Sequence, residues 1–301
     1  MDQHLLVFVT VVEKGNFSRA AEELHMTQPA VSQYIQGLER SYGSKLLDRS
    51  NKYVRLNKAG EIVYYHAKEI LGLYSKMQNL LDDLTNRASG PLSIGSSYTF
   101  GEYVLPHVIA QLHEQFPLIK PKITIGNTKE IAELVKGHQL DVGIIEGDYN
   151  DSQLSVDPFT EDMMYVIASS KHHLAKQNRE ANIAELEEET WIVRELGSGT
   201  REATDKIFQY MSIAPKDIME FGSTQLIKET VESGLGVSLL SGLAIRKEIS
   251  MDLLKIIPVK GTPFKRNFSM VLRTSFKTKA LEVFIDLLKN GNDLKDILFR
   301  L

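Results

Sequence analysis

The chain has no cysteine among its 301 residues, which excludes disulfides and thiolate metal sites. No apolar run reaches the length a bilayer requires. The apolar segment Leu5–Val12 follows Asp2 and has neither a basic flank nor a small-residue cleavage site, so no signal peptide is expected. A cytoplasmic protein without a membrane partner is the expectation. Net charge is −4, so the whole chain is no polycation, and any nucleic-acid surface must be local. Catalytic signatures are missing too. The segment Gly197–Glu202 lacks the third glycine of a dinucleotide fingerprint, a P-loop lysine and a nucleophile-elbow serine. The pair His172-His173 has no HExxH spacing. Neither an enzyme, a cofactor nor a metal is expected. Glu185, Glu187, Glu188 and Glu189 read as a solvated face, and Trp191 reads as core.

What is present is an ordinary globular composition, 43% hydrophobic and 25% charged, in a chain long enough for two or three domains. Leu5, Phe8, Val9 and Val12 follow the i, i+3, i+4, i+7 pattern of one helix face, and Gly15 ends it. Ser18 reads as the N-cap of a short second helix carrying Ala20, Ala21 and Leu24 inward. Met26-Thr27 reads as a tight turn. Thr27 can cap a third helix that holds Pro29 in its first turn and buries Val31, Ile35 and Leu38. Its other face presents Gln28, Ser32, Gln33 and Gln36. Lys and Glu would solvate a helix more simply, whereas amides and hydroxyls both donate and accept, as base edges in a major groove require. Two short helices joined by a tight turn, the second bearing the polar readers, make a helix-turn-helix.

Two β-like runs then flank Ser50-Asn51-Lys52. Between Arg40 and Lys58 stand six basic residues (Arg40, Lys45, Arg49, Lys52, Arg55, Lys58) against one acid, Asp48. A basic hairpin beside a reading helix is a wing, whose cations neutralise phosphates and fix register. From Ala59 to Arg87 no proline occurs. Val63, Ala67, Ile70, Tyr74, Met77, Leu81 and Leu84 are spaced 4, 3, 4, 3, 4, 3 there. That is a heptad seam, open to packing on its own domain or to pairing with a second copy. Ala88-Ser89-Gly90-Pro91 ends the helix.

The motifs Phe17-Ser18-Arg19-Ala20-Ala21, Thr27-Gln28-Pro29-Ala30-Val31-Ser32 and Leu46-Leu47-Asp48-Arg49, with Leu24, Ile35, Leu38-Glu39 and Ala59-Gly60, resemble the winged helix-turn-helix of LysR-type transcriptional regulators. The resemblance is dense over residues 1–60, and the family's layout fits the full length. It implies Ser18, Thr27, Gln28, Pro29, Ser32, Gln33, Gln36, Arg49, Lys52 and Arg55 at the DNA. It also implies the paired-helix reading of the seam, a homodimer or homotetramer, duplex DNA with two related half-sites, and RNA polymerase as a further partner.

After Pro91 short strands alternate with helices, an α/β pattern with mostly parallel strands: Leu92–Ser96, Lys122–Gly126 and Val142–Ile145 as strands, Glu102–Phe116 and Lys129–Lys136 as helices. Gly126-Asn127-Thr128 followed by Leu140–Gly147 is echoed by Gly222-Ser223-Thr224 and Leu235–Gly242, at offsets of 96 and 95 residues. Two similar lobes facing a cleft, as in periplasmic binding proteins, is what the family resemblance implies. The chain crossings then fall near 160–163 and 265–267. The organisation expected is therefore 1–58 winged helix-turn-helix, 59–90 linker helix and hinge, and 91–301 effector domain. Lobe I would span about 91–162 and 267–301, and lobe II about 163–266.

Hydroxyl-rich loops lie after expected strands: Ser96-Ser97-Tyr98-Thr99, Asn127-Thr128, Ser198-Gly199-Thr200-Arg201 and Ser223-Thr224. Each alone reads as a cap or a turn. A helix N-terminus bearing hydroxyls and a guanidinium also suits a small anion. The resemblance places effector contacts at Ser97, Thr99 and the Ser198–Arg201 turn. The full candidate set is Ser96, Ser97, Thr99, Phe100, Asn127, Thr128, Ser198, Gly199, Thr200, Arg201 and Thr224. Phe100 departs from relatives that carry a polar residue there. Ser97–Pro106 resembles the subgroup that regulates sulfur assimilation and carbon fixation. The expected function is a DNA-binding regulator, more an activator than a repressor, switched by a small anionic metabolite. The competing class is a small-molecule binding or transport module, which leaves the wing and the glutamine-rich helix unexplained.

Overall fold

A computed structural model describes residues 3–49, 54–82, 88–177, 179–273 and 277–290. The Ser50-Asn51-Lys52 turn, Leu84 and residues 291–301 lie outside the described residues. The chain divides into two compact units near residue 85.

In the first unit, α1 (Gln3–Lys14), α2 (Phe17–Glu23) and α3 (Gln28–Ser41) are followed by strands β1 (Leu47–Arg49) and β2 (Val54–Leu56) and by the long α4 (Lys58–Asp82). Phe8, Val11, Ala20, Val31, Ile35 and Leu46 form its fully buried centre. The small Ala20 and Ala21 let α2 lie close to its neighbours. Asn16, not Ser18, caps α2: its Oδ1 accepts from the N–H groups of Ser18 (2.8 Å) and Arg19 (3.0 Å). Asn16 is the extended residue before the first turn, and Ser18 is already inside it. Thr27 occupies the N-cap position of α3 without a side-chain cap bond, and Pro29 stands in the first turn.

The heptad seam divides in two. Ala67 is 1% exposed in the core of this unit, with Val63, Tyr64 and Leu71 packed against it. Ala67 is therefore part of this unit's own core, and Val63 is half-buried against it. Ile70, Tyr74, Met77 and Leu81 are exposed, as are Ile62, Tyr65 and Leu73. A strict heptad drifts about 20° per repeat on a straight helix, so one seam cannot hold one face over the whole length.

The second unit contains β3 (Gly90–Ser97), α5 (Tyr98–Tyr103), α6 (Leu105–Gln115), β4 (Ile119–Gly126), α7 (Thr128–Lys136), β5 (Val142–Glu146) and β6 (Ser155–Ser169). There follow α8 (Ile183–Glu187), β7 (Thr190–Arg194), α9 (Gly199–Met211), β8 (Asp217–Phe221), α10 (Thr224–Glu232), β9 (Ser238–Ser241), α11 (Gly242–Ser250), β10 (Leu254–Ile256), β11 (Phe264–Leu272) and α12 (Lys279–Asn290). The helix expected over Glu102–Phe116 is two helices broken at Val104. Pro106, in the first turn of α6, has no N–H to continue the α5 ladder. β3 runs parallel to both β4 and β5. β5 is buried at every position and alternates Val142 and Ile144 into one core with Ile145 into another, which explains its unbroken apolar run.

The lobes join through β6 and β11, which pair antiparallel from Phe264↔Met164 to Leu272↔Ser155 with a bulge at Phe268/Ser269 beside Pro158. β5 pairs with β11 from Phe268 to Val271, in lobe I. β9 and β10 pair with β6 from Met164 onward, in lobe II. One seven-stranded sheet thus passes through both lobes. β7 and β8 pair parallel beside it.

Candidate DNA-reading face and inter-lobe cleft

On α3 the buried residues Val31, Ile35 and Leu38 fix the opposite face outward. Gln28, Gln33 and Gln36 are exposed, and Ser32 is half-buried. Gln28 Nε2 donates to Ser32 Oγ (3.0 Å), so these two side chains act as a pair. Ser18, Thr27 and Pro29 are exposed at the adjacent helix starts. In the wing, exposed Arg55 stands opposite Asp48 and Arg49 opposite Val54. Glu39, part of the family motif but given no role from the sequence, is 4% exposed. It accepts from Lys45 Nζ (3.0 Å) and Leu46 N–H (3.1 Å), tying the end of α3 to the wing. Asn57 caps α4 through Gly60 N–H (2.9 Å) and donates to the Lys45 carbonyl (2.9 Å).

In the second unit the predicted loops converge where β5, β6 and β11 meet. Arg266 is the centre. Its side chain and that of Glu146 are each 2% exposed and lie 2.7 Å apart. On its other side Arg266 Nε meets Asp162 Oδ2 at 2.8 Å, the residue opposite it in the β6–β11 ladder. Arg266 also donates to Thr99 Oγ1 of lobe I (3.0 Å) and Thr200 Oγ1 of lobe II (2.9 Å). Glu146 accepts from Thr99 N–H at 2.7 Å, and Asp162 from Ser241 Oγ at 2.6 Å. Burial alone would raise the Glu146 carboxyl, but the Arg266 charge and donors from Ser97 and Thr99 hold it below the usual range. Burial dominates at Asp162 and raises it, against the pull of Arg266. Among the described residues the buried Ser97 hydroxyl has no partner within hydrogen-bond geometry, and Glu146 is the carboxylate on which it acts.

A second guanidinium, Arg194, is 1% exposed at the end of β7. Its Nε and Nη2 grip the Glu195 carboxylate (2.7 and 2.8 Å), and Nη1 donates to Thr224 Oγ1 (3.0 Å). The Tyr98 ring of lobe I lies 4.4 Å from the guanidinium carbon. Asn127 Nδ2 of lobe I reaches the same carboxylate at 3.3 Å. Burial pushes the Glu195 carboxyl up, and the Arg194 and Asn127 bonds more than offset it, leaving it lowered. Lys129 N–H of lobe I donates to Gly197 O of lobe II (3.1 Å).

Six expected site residues are engaged within the protein itself. Arg201 faces away from the cleft, held by Asp205 (3.0 Å), Glu220 (2.8 Å) and the Arg194 carbonyl (3.1 Å). Phe100 is 0% exposed and packs edge-on against Phe159 and Phe268, so it is core. Ser96 Oγ turns to the Ser97 carbonyl (3.1 Å). Ser198 Oγ caps α9 through Thr200 N–H (3.2 Å). Gly199 carries no donor side chain; a Cβ there would stand 2.1 Å from the Glu146 carbonyl, so glycine lets the two lobes touch. Thr128 Oγ1 donates to the Glu146 carbonyl (3.0 Å). Glu146, Asp162, Arg194, Glu195 and Arg266 were not singled out from the sequence: the first two and Arg266 find their charge partners far along the chain, and the adjacent pair Arg194-Glu195 is marked only by its distant contacts to Thr224 and Asn127.

Residues 3–61 match the model for bacterial regulatory helix-turn-helix proteins of the lysR family. Residues 85–293 match that for the LysR substrate binding domain. The HTH-type transcriptional regulator CysL of Bacillus subtilis is 37% identical over 288 residues, 95% of this chain and 96% of that relative. A probable RuBisCO transcriptional regulator of Synechocystis is 32% identical over 292 residues, 95% of this chain and 84% of the relative. These relatives agree with the subgroup indicated by Ser97–Pro106. Among solved structures, the regulatory domain of Synechocystis CcmR in complex with 2-PG superposes with a TM-score of 0.60 at 25% identity, covering 68% of this chain and 99% of that one. A helix-turn-helix with an outward glutamine face, a two-lobed α/β unit closed over buried arginines, and both family matches agree: the chain belongs to the LysR family of DNA-binding transcriptional regulators.

Proposed function

We propose that this regulator works in the cytoplasm as an activator switched by a small anion that takes the place of the Glu195 carboxylate at Arg194. One observation carries the reading. Glu195 sits in a bidentate guanidinium fork, with an amide donor from the other lobe, yet its side chain is 25% exposed. A fork that holds an internal carboxylate will hold an external carboxylate or phosphate in the same geometry. Arg266 is the poorer candidate, because two carboxylates, each 2% exposed, already neutralise it. The 2-PG bound by CcmR, an anionic metabolite, supports the ligand class.

The anion bridges Arg194 and Thr224 of lobe II to Asn127 of lobe I, beside the Tyr98 ring. Its binding energy resets the lobe angle and, through an oligomer built on the exposed stripe of α4, the separation of two reading heads on two related half-sites. RNA polymerase is the downstream partner, and no chemical step is assigned to the chain.

The test titrates the full-length protein with carboxylates and phosphorylated acids, following thermal midpoint and binding to the DNA beside its own gene. At about 100 times the dissociation constant, a ligand adds roughly 2.7 kcal/mol. Arg194→Ala should abolish the shift and keep DNA binding, and Glu195→Gln should tighten the anion by weakening its internal competitor. An anion response that survives Arg194→Ala would remove Arg194 from the site.

A further inference from the structure

Away from the cleft, lobe II brings together three metal-ligating side chains that the regulatory reading does not use. His172 and His173 follow β6, and Glu189 immediately precedes β7. The Glu189 carboxylate lies between both rings: Oε2 is 3.1 Å from His172 Nε2 and Oε1 is 3.3 Å from His173 Nε2. All three donor atoms fall within 4.8 Å of one another. His172 and Glu189 are mostly buried, with side-chain exposures of 10% and 12%, while His173 is 62% exposed. The rings lie 4.5 Å apart at a tilt of 36°, with both Nε2 atoms toward the carboxylate.

We propose that His172, His173 and Glu189 bind a borderline divalent cation of the zinc type, in a site separate from the effector cleft. Tetrahedral zinc with arms of about 2.0–2.2 Å separates its ligand atoms by roughly 3.3–3.5 Å. The nitrogen–oxygen separations of 3.1 and 3.3 Å, each to a different oxygen of the Glu189 carboxylate, are close to those edges, and the three donor atoms, within 4.8 Å of one another, draw together on the ion. Two imidazoles and one carboxylate are the donor set of open three-ligand zinc sites, and the exposed side at His173 leaves the fourth position to water. Leu174 N–H points at His172 Nδ1 (3.3 Å), which places the ring proton on Nε2 toward Glu189. The ion takes the Nε2 position, the ring proton moves to Nδ1, and the long Leu174 contact is given up. The bound ion ties the end of β6 to the start of β7, the strand that carries Arg194.

The test uses metal-free full-length protein and Co2+ as a coloured stand-in for zinc. One equivalent should produce the intense visible bands of four-coordinate cobalt, which one equivalent of Zn2+ then bleaches. His173→Gln and Glu189→Gln should each lose the bands at one equivalent, with His107→Gln, at an exposed histidine elsewhere, unchanged. His173 is exposed, so its variant should fold, and a matching thermal midpoint of the metal-free variant checks this. Absence of the bands at one equivalent, or bands that persist in His173→Gln and Glu189→Gln, would overturn the site.

Discussion

Arg266 and Arg194 are both buried, yet they behave as opposites. Arg266 neutralises two buried carboxylates and also holds a threonine from each lobe. Removing one member of such a cluster leaves uncompensated charge in a low-dielectric site, a cost of about 3–5 kcal/mol. Arg266→Ala is therefore expected to lower the unfolding midpoint in urea markedly. A loss below about 1 kcal/mol would mean that Glu146 and Asp162 take up protons instead. Glu195 yields a pH prediction. Its carboxyl is lower in the fold than in the open chain, so its pairing stabilises above the ordinary carboxylate range. That stabilisation is lost as pH falls through the lowered value. The thermal midpoint of Glu195→Gln should lie below that of the parent near neutral pH, and the gap should close in acid, once pH falls below the ordinary carboxylate range. A gap that persists in acid would assign the effect to packing.

Elements carry the DNA and assembly predictions. Gln28 and Ser32 share a hydrogen bond, so Gln28→Ala and Ser32→Ala should each relax sequence preference, by about 1–3 kcal/mol per base position read. Their double variant should fall short of the sum. Arg55→Ala should instead weaken all DNA alike and reduce the salt slope by about 1. Competition binding with altered half-sites separates the two outcomes. On α4 the two halves of the seam should respond differently. Met77→Glu places charge on the exposed stripe and should shift the oligomer toward monomer in sedimentation, with little change in domain stability. Ala67→Leu overfills a buried site and should cost about 1–3 kcal/mol of domain stability without passing through assembly.

At the scale of the whole molecule, closure of the cleft depends on backbone touching backbone. Gly199 lies against the Glu146 carbonyl. Gly199→Ala should force α9 off lobe I, abolish the anion-induced thermal shift and leave the isolated reading heads able to bind DNA. A normal shift in that variant would place the hinge elsewhere.

The sequence by itself determined the parts whose signals are local. Apolar spacing of three and four residues set the helices of the first unit and the outward glutamine face. The basic run marked the wing, and the change of period after Pro91 marked the α/β unit, because backbone geometry converts short spacings directly into faces. Tertiary structure alone decided which polar groups meet. Thr99 bonds Arg266 across 167 positions, and Ser241 bonds Asp162 across 79. No short motif records such pairs. They exist because β6 and β11 cross between the lobes and withdraw the charges from water together, and burial then makes each carboxylate require its guanidinium. For the same reason Arg201, the cation a loop motif favoured, faces outward, whereas Arg194 at the end of a plain apolar strand faces the cleft.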